Sequence, residues 1–371
     1  MAAPRSFQLI FLGDVMLGRL IDQLLPSHVD ESEEAHIVSK MKRSDPTLQN
    51  YTPVTPWGNV LPLLQSSDLN IINLETAVTT HPIKWPNKVF NYRMHPQNIE
   101  CLRQAKIAYA SCANNHSLDF SENGLVETVQ SLRAAGVQYA GAGLTAEESQ
   151  RPASVPILNS KSATDDDHLV DIYSAADHPS DWSRVPTFHF IDYSQATKDR
   201  LRKLSKRYNE ASIASLRVFS VHWGPNYSWQ PADEIRDMAH FLIDECGIDI
   251  VHGHSSHHVQ GIERYRPGKL IIYGCGDFVD DYALTPEYRN DLSAVWRVTV
   301  EEKGGENAKP SLALRRLEIF PTRIQRFRAH LLEGNDPDHE WVCRKITSLS
   351  EELGEEGLFK TGSEGQLTID I

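Results

Sequence analysis

An α/β fold built on a largely parallel sheet is predicted by three features of this sequence. Short apolar runs without clean alternation read as strands buried on both faces: Phe7–Leu12, Leu69–Leu74, Ile107–Cys112, Val218–His222, Ile248–Val251 and Leu270–Tyr273. Amphipathic stretches such as Asn123–Ala135 and Ala232–Cys246 lie between them, the second stopped by Gly247. The succession of strand, helix and strand is the rhythm of βαβ units.

Taken in order, the chain runs from Met1 into its first strand without an apolar signal-peptide core. Residues 21–62 are polar and Pro-rich and read as an insertion with a few short helices, placed directly after the first strand where a lid would sit. A second insertion, residues 150–186, carries Asp165-Asp166-Asp167 and reads as a surface excursion. Ala294–Glu301 and Leu312–Ile319 alternate as antiparallel strands do. Asp336–Gly354 reads as a terminal helix. The expected organisation is one domain over 1–330, with 331–371 as a helical extension packed on it; no internal repeat is visible.

The 371 residues are 40% apolar and 23% charged, enough for a full core. With 37 basic and 50 acidic residues the net charge is −13, which argues against non-specific nucleic-acid or anionic-membrane binding, since both need a cationic face. Five cysteines (Cys101, Cys112, Cys246, Cys275 and Cys343) show no CxxC pair and no disulfide framework. No segment reaches the roughly 18 apolar residues of a membrane span. These features together predict a cytoplasmic protein with reduced thiols.

Polar residues gather where the apolar runs end. Gly13-Asp14 follows the first strand, Asn73-Leu74-Glu75 closes the second, and Asn114-Asn115-His116-Ser117-Leu118-Asp119 follows the third. His222-Trp223-Gly224 and His252-Gly253-His254-Ser255-Ser256-His257-His258 close two more. Ligands of open parallel sheets bind outside the carboxyl ends of the strands, so five segments would deliver Asp, Glu, Asn and His to one crevice. A single Asp after a strand is more often a helix cap or a turn residue; five such coincidences at one edge reverse the odds. Carboxylate, imidazole and amide donors without thiolate suit Mn, Fe or Zn rather than a structural cysteine site. In that reading a carboxylate bridges two ions and a hydroxide bound to them attacks the substrate. His116 protonates the leaving group, and Asp119 orients it.

Other candidates have plainer readings. His257 and His258 point to opposite sides of an extended segment, so only His257 is expected at the metal. Trp223 reads as packing, and Cys275 as a buried thiol. Gly274-Cys275-Gly276-Asp277-Phe278 lacks the Lys of a P-loop and reads as a tight turn, with Asp277 a candidate on the substrate side of the site. Arg93 is a candidate anion-binding residue, though a surface salt bridge explains an isolated Arg as well.

The motifs FLGDVMLGR (Phe11–Arg19), NLET (Asn73–Thr76), ANNHSLDF (Ala113–Phe120), VHWGPNY (Val221–Tyr227) and VHGHSSHHVQGIE (Val251–Glu263) together resemble the capsule-synthesis protein CapA family. These are poly-γ-glutamate biosynthesis proteins of the calcineurin-like metallophosphoesterase superfamily, and the resemblance spans Phe7 to Asp281. It implies a four-layer αββα sandwich of mixed, mostly parallel sheets with a two-metal centre at the strand ends. Carried over motif by motif, Asp14 sits on the first metal and Glu75 bridges. Asn115, His222 and His254 bind the second metal, His257 binds the first, and His116 is catalytic. The sequence departs from the superfamily at Met16, where a histidine is usual, at Glu75, where aspartate is usual, and in the extra residue of Gly253–His257. A centre of one or two ions is therefore expected.

The function this implies is metal-dependent hydrolysis of a phosphoester or a γ-glutamyl-type amide, on a small-molecule or glutamyl-polymer substrate. The alternatives are a non-hydrolytic component of poly-γ-glutamate synthesis or export, and a metal-free binding module.

Overall fold

The computed structural model describes residues 4–157, 168–303 and 311–371. Two large mixed sheets stack face to face with helices on both outer sides, the four-layer arrangement that the resemblance implies. In the ten-stranded sheet, Ser6–Val15 is central and runs parallel to Leu69–Leu74, which is parallel to Ile107–Ser111. On its other side it pairs antiparallel with Leu292–Glu302, itself antiparallel to Leu312–Ile324, as the alternation of those segments predicts. The six-stranded sheet is centred on the parallel strands Leu169–Ala176, Leu216–His222, Ile250–His254 and Leu270–Ile272.

Alternation along each strand sorts side chains into layers. On the first strand Leu9 and Phe11 enter the core between the sheets, whereas Ile10 and Leu12 pack under the outer helices. Val218 and Ile250 line the same inter-sheet core, and Phe219, Val221 and Val251 face the helix Asp233–Asp244 through Met238 and Leu242. His222, His252 and His254 share the inward parity of Val218 and Ile250. His252 Nε2 meets the Leu12 carbonyl oxygen across the gap at 2.9 Å.

Two expectations need correction. Residues 150–186 are no surface excursion: Ala153–Pro156 and Leu169–Ala176 pair antiparallel, and the second is a buried inner strand of the six-stranded sheet. The polar, acidic residues between them masked two short strands; Asp165–Asp167 lie outside the described residues. The tail also contributes more than the helix Pro337–Glu351, since Leu367–Asp370 extends the ten-stranded sheet against Leu312–Ile324. In the 21–62 region, Arg19–Leu24 and Ser32–Ser44 are helical.

At the end of the sandwich away from the strand tips, His168 joins the two sheets. Its Nδ1 lies 2.7 Å from Ser215 Oγ and its Nε2 2.8 Å from Glu302 Oε1, and Arg5 pairs with the same carboxylate at 2.6 Å. No helix among the described residues is long and apolar enough to cross a membrane.

Candidate metal centre

Asp14, Glu75, Asn115, His116, His222, His254 and His257 all sit at or just beyond the carboxyl ends of parallel strands from the two sheets. Glycine makes the first approach. A Cβ on Gly13 would lie 1.8 Å from the Gly276 carbonyl oxygen, so only glycine lets the two segments meet there. Asp14 is then registered beside Asp277 of the short parallel strand Asp277–Val279. Gly253 plays the same part in the other sheet, its Cβ position 2.1 Å from the Tyr273 carbonyl oxygen.

Two asparagines hold the acid in place. Asn114 Nδ2 donates to Asn73 Oδ1 at 3.0 Å and to the Leu74 carbonyl at 2.8 Å, and Asn73 Nδ2 donates to Asp14 Oδ1 at 2.7 Å. Neither asparagine was expected in the site, although both lie in the motifs.

The donor atoms form two groups, in each of which the ligand atoms lie within 4.8 Å of one another. One is Asp14, His222 and His254; the other is Asp14, Glu75, His257 and Asp277. The carboxylate common to both is Asp14, where the family resemblance put Glu75. Asp277, expected on the substrate side, contributes its carboxylate to the second group, and His257 Nδ1 lies 2.8 Å from its Oδ1. Met16 is buried with its sulfur 3.2 Å from the Gly18 amide and offers no ligand there. His258 turns away from the centre and packs on Tyr288 and Trp229.

These residues fit divalent cations on their own chemistry. Both Glu75 oxygens, Asn115 Oδ1, His222 Nε2, Asp277 Oδ2 and Asp280 Oδ2 are buried without a hydrogen-bond partner among the described residues. Buried carboxylates left unpaired are expensive, and a cation is what relieves them. Burial first, then the charge of neighbouring carboxylates, pushes Glu75, Asp277 and Asp280 well above the usual carboxyl range. Burial likewise pushes His222 and His254 far down, so both are neutral imidazoles, the form that ligates metal. His178 was missed by the sequence reading; its ring lies 5.1 Å from that of His222, and Asp177 binds its Nδ1.

His116 stands beside this cluster. Its Nδ1 is 2.6 Å from Asp119 Oδ2, its Nε2 is 4.0 Å from Glu75 Oε1, and Tyr92 stacks on its ring at 3.9 Å. Lys88 reaches Asp119 Oδ1 at 2.7 Å and the Phe90 carbonyl at 2.6 Å. Burial holds the His116 ring down to about 4. Arg93 is not free to bind an anion as expected: it pairs with Glu31, donates to the His81 carbonyl at 2.7 Å and covers the Phe120 ring.

Residues 8–282 match the family model described as bacterial capsule synthesis protein PGA_cap. The chain belongs to the PGA_cap family. Over 374 residues it is 33% identical to a probable polyglutamine synthesis accessory protein of Mycobacterium tuberculosis, covering 95% of this chain and 93% of the relative. It is 24% identical to the PGA biosynthesis protein CapA of Bacillus subtilis, over 97% of this chain and 81% of that protein. Similar solved structures include a phosphatase from Mycoplasma pneumoniae (TM-score 0.44, 14% identity, 86% of this chain and 94% of that one). A calcineurin-like phosphoesterase, YfkN of Bacillus subtilis, is similar at a TM-score of 0.43 and 10% identity, over 84% and 91% of the two chains. The PGA_cap match ends at Asp281-Tyr282 and so takes in every residue of both donor groups.

Proposed function

We propose that this PGA_cap protein is a metal-dependent hydrolase that cleaves a phosphoester or a γ-glutamyl-type amide in polyglutamate synthesis. The observation that carries the reading is the pair of donor groups sharing Asp14. Asp14, His222 and His254, with Asn115, would hold one ion; Asp14, Glu75, His257 and Asp277 would hold the other, with Asp277 filling the place that Met16 leaves open. Mn, Fe or Zn in that site would supply Lewis acidity and a water of lowered pKa.

The chain's own residues do the rest. Asp119 accepts from Nδ1 of His116 and fixes its tautomer, which leaves Nε2 on the side of Glu75 to exchange a proton with a reacting group. Tyr92, stacked on the ring, excludes water from that face. Residues 21–62, which follow the first strand where a lid would sit, are tied to the flank of the site by the ion pair of Glu31 with Arg93.

Metal analysis of protein purified without chelator, with turnover of a generic phosphodiester and a γ-glutamyl anilide, tests the proposal. A metal-free protein with no turnover after Mn loading defeats it. The second reading, a non-hydrolytic component, is favoured by the word "accessory" in the mycobacterial relative's name. Bound metal without turnover, together with co-purification of a ligase, selects it.

A further inference from the structure

We propose that Arg19 is the residue that binds the substrate's anionic oxygens beside the metal centre. This rests on the metal-centre reading above and adds the substrate's chemical class to it: a group carrying two or more equivalent oxyanion oxygens, either a phosphoryl group or a carboxylate.

Arg19 closes the FLGDVMLGR motif, five residues after Asp14. It is a non-glycine residue held at a φ of 53°, a conformation that L-residues seldom adopt unless the surroundings impose it, and such residues gather at ligand sites. Its guanidinium lies 5.2 Å from the centroid of the Tyr92 ring, and Tyr92 in turn stacks on His116. Arg19 thus stands one aromatic ring away from the imidazole that faces Glu75.

The three cations around this corner are not equivalent. Lys88 is taken by Asp119 and the Phe90 carbonyl. Arg93 is taken by Glu31 and the His81 carbonyl. Arg19 pairs with Asp281 through Nε at 3.5 Å, while Asp281 Oδ2 also accepts from the Leu20 amide at 3.0 Å. Among the described residues Asp281 is the one carboxylate in ion-pair range of Arg19, and the guanidinium also hydrogen-bonds the Tyr92 hydroxyl, so a fork that can grip oxyanions in bidentate fashion is held here by a single, longer ion pair. About a third of the Arg19 side chain is open to solvent, whereas Asp281 is fully buried, so the guanidinium is reachable while its anchor is fixed. Around a cluster of buried acids, an anionic substrate needs such a counter-charge to approach.

The test uses the full chain loaded with Mn and reads binding by calorimetry, with inorganic phosphate and glutarate as separate probes. Metal content is measured on every sample. Arg19→Gln is expected to weaken binding of the recognised anion at least ~10-fold with metal content unchanged. Arg19→Lys, which keeps the charge and loses the fork, is expected to fall between the two and guards against misfolding of the Gln variant. The probe whose binding depends on Arg19 identifies the source: phosphate for a phosphoester, glutarate for a γ-glutamyl chain end. Equal affinities in wild type and both variants overturn the proposal, as does a metal-loaded wild type that binds neither anion. Absence of metal from the wild type overturns the metal-centre reading instead.

Discussion

Asp119 grips His116 through Nδ1 at 2.6 Å and so turns the opposite nitrogen to within 4.0 Å of the Glu75 carboxylate. The same Asp119 accepts from the Tyr92 amide at 2.6 Å, tying the ring that stacks on His116 to the residue that orients it. Replacing Asp119 with Asn removes the charge and leaves the tautomer unfixed. With a phosphodiester substrate kcat should fall ~100-fold, the scale of positioned acid–base catalysis, while metal content stays at the wild-type value. A variant that loses metal together with rate would place Asp119 among the ligands instead.

The two donor groups predict a division of metal loss. Asp277→Asn should lower the affinity of one ion by about 10- to 100-fold, as loss of a metal-site partner does, and His254→Ala should do so for the other. Asp14→Asn should affect both. Elemental analysis after dialysis at graded free Mn checks this; equal loss from Asp277→Asn and Asp14→Asn would remove the shared role of Asp14.

Chelation should destabilise the protein more at pH 8 than at pH 5.5. Without ions, burial and neighbouring charges raise Glu75 and Asp277 far above their unfolded values. A raised folded pKa means that the folded chain binds more protons, so stability is greatest below the unfolded pKa and is lost as pH rises through the folded one. Bound cations neutralise the same carboxylates. Thermal unfolding with and without Mn across this range should show a protection that grows with pH, and a constant difference would contradict it.

Glu302 should behave in the opposite sense. Arg5, then His168, hold its carboxyl down to about 2, through hydrogen bonds and charge. A depressed folded pKa gives stability that is present above the unfolded value of 4.5 and lost as pH falls towards 2. Glu302→Gln should therefore cost about 1–2 kcal/mol at pH 7 after allowance for solvent screening. Urea titrations should show the gap closing between pH 4.5 and 2; a gap of the same size at pH 3 would show that packing, not charge, is what Glu302 contributes.

Most of the sheet framework was legible because parallel strands buried on both faces write themselves as apolar runs, and Leu69–Leu74 keeps its predicted bounds. Leu169–Ala176 was not legible: Asp171, Tyr173 and Ser174 interrupt its apolar pattern and find partners only in the fold, Asp171 on Ser154 and Ser212 and Tyr173 on Asn209. In the site, residues at the ends of strong strands were found from sequence. Asp277 was placed near the site but on its substrate side, because its carboxylate reaches Asp14 only through a two-residue parallel pairing that the close approach at Gly13 permits. Asn73, Asn114 and His178 act on the acids and imidazoles from behind, and no spacing rule marks such supporting contacts. Of the two readings of Arg93 the salt bridge is the one the structure contains, and sequence alone could not choose it because the partner, Glu31, lies 62 residues away at the start of the helix Ser32–Ser44.

Asp14 lies in one sheet and Glu75 directly follows the strand Leu69–Leu74 of that sheet, whereas His222 and His254 lie in the other. Neither half of the sandwich would therefore retain the proposed ions by itself, and cation uptake would report on whether the halves have closed. A chain that ends before Ile250 lacks the imidazoles of the later strand, and any fluctuation that parts the sheets opens the coordination sphere with them. Exchange of the proposed ions would accordingly be coupled to breathing of the whole sandwich.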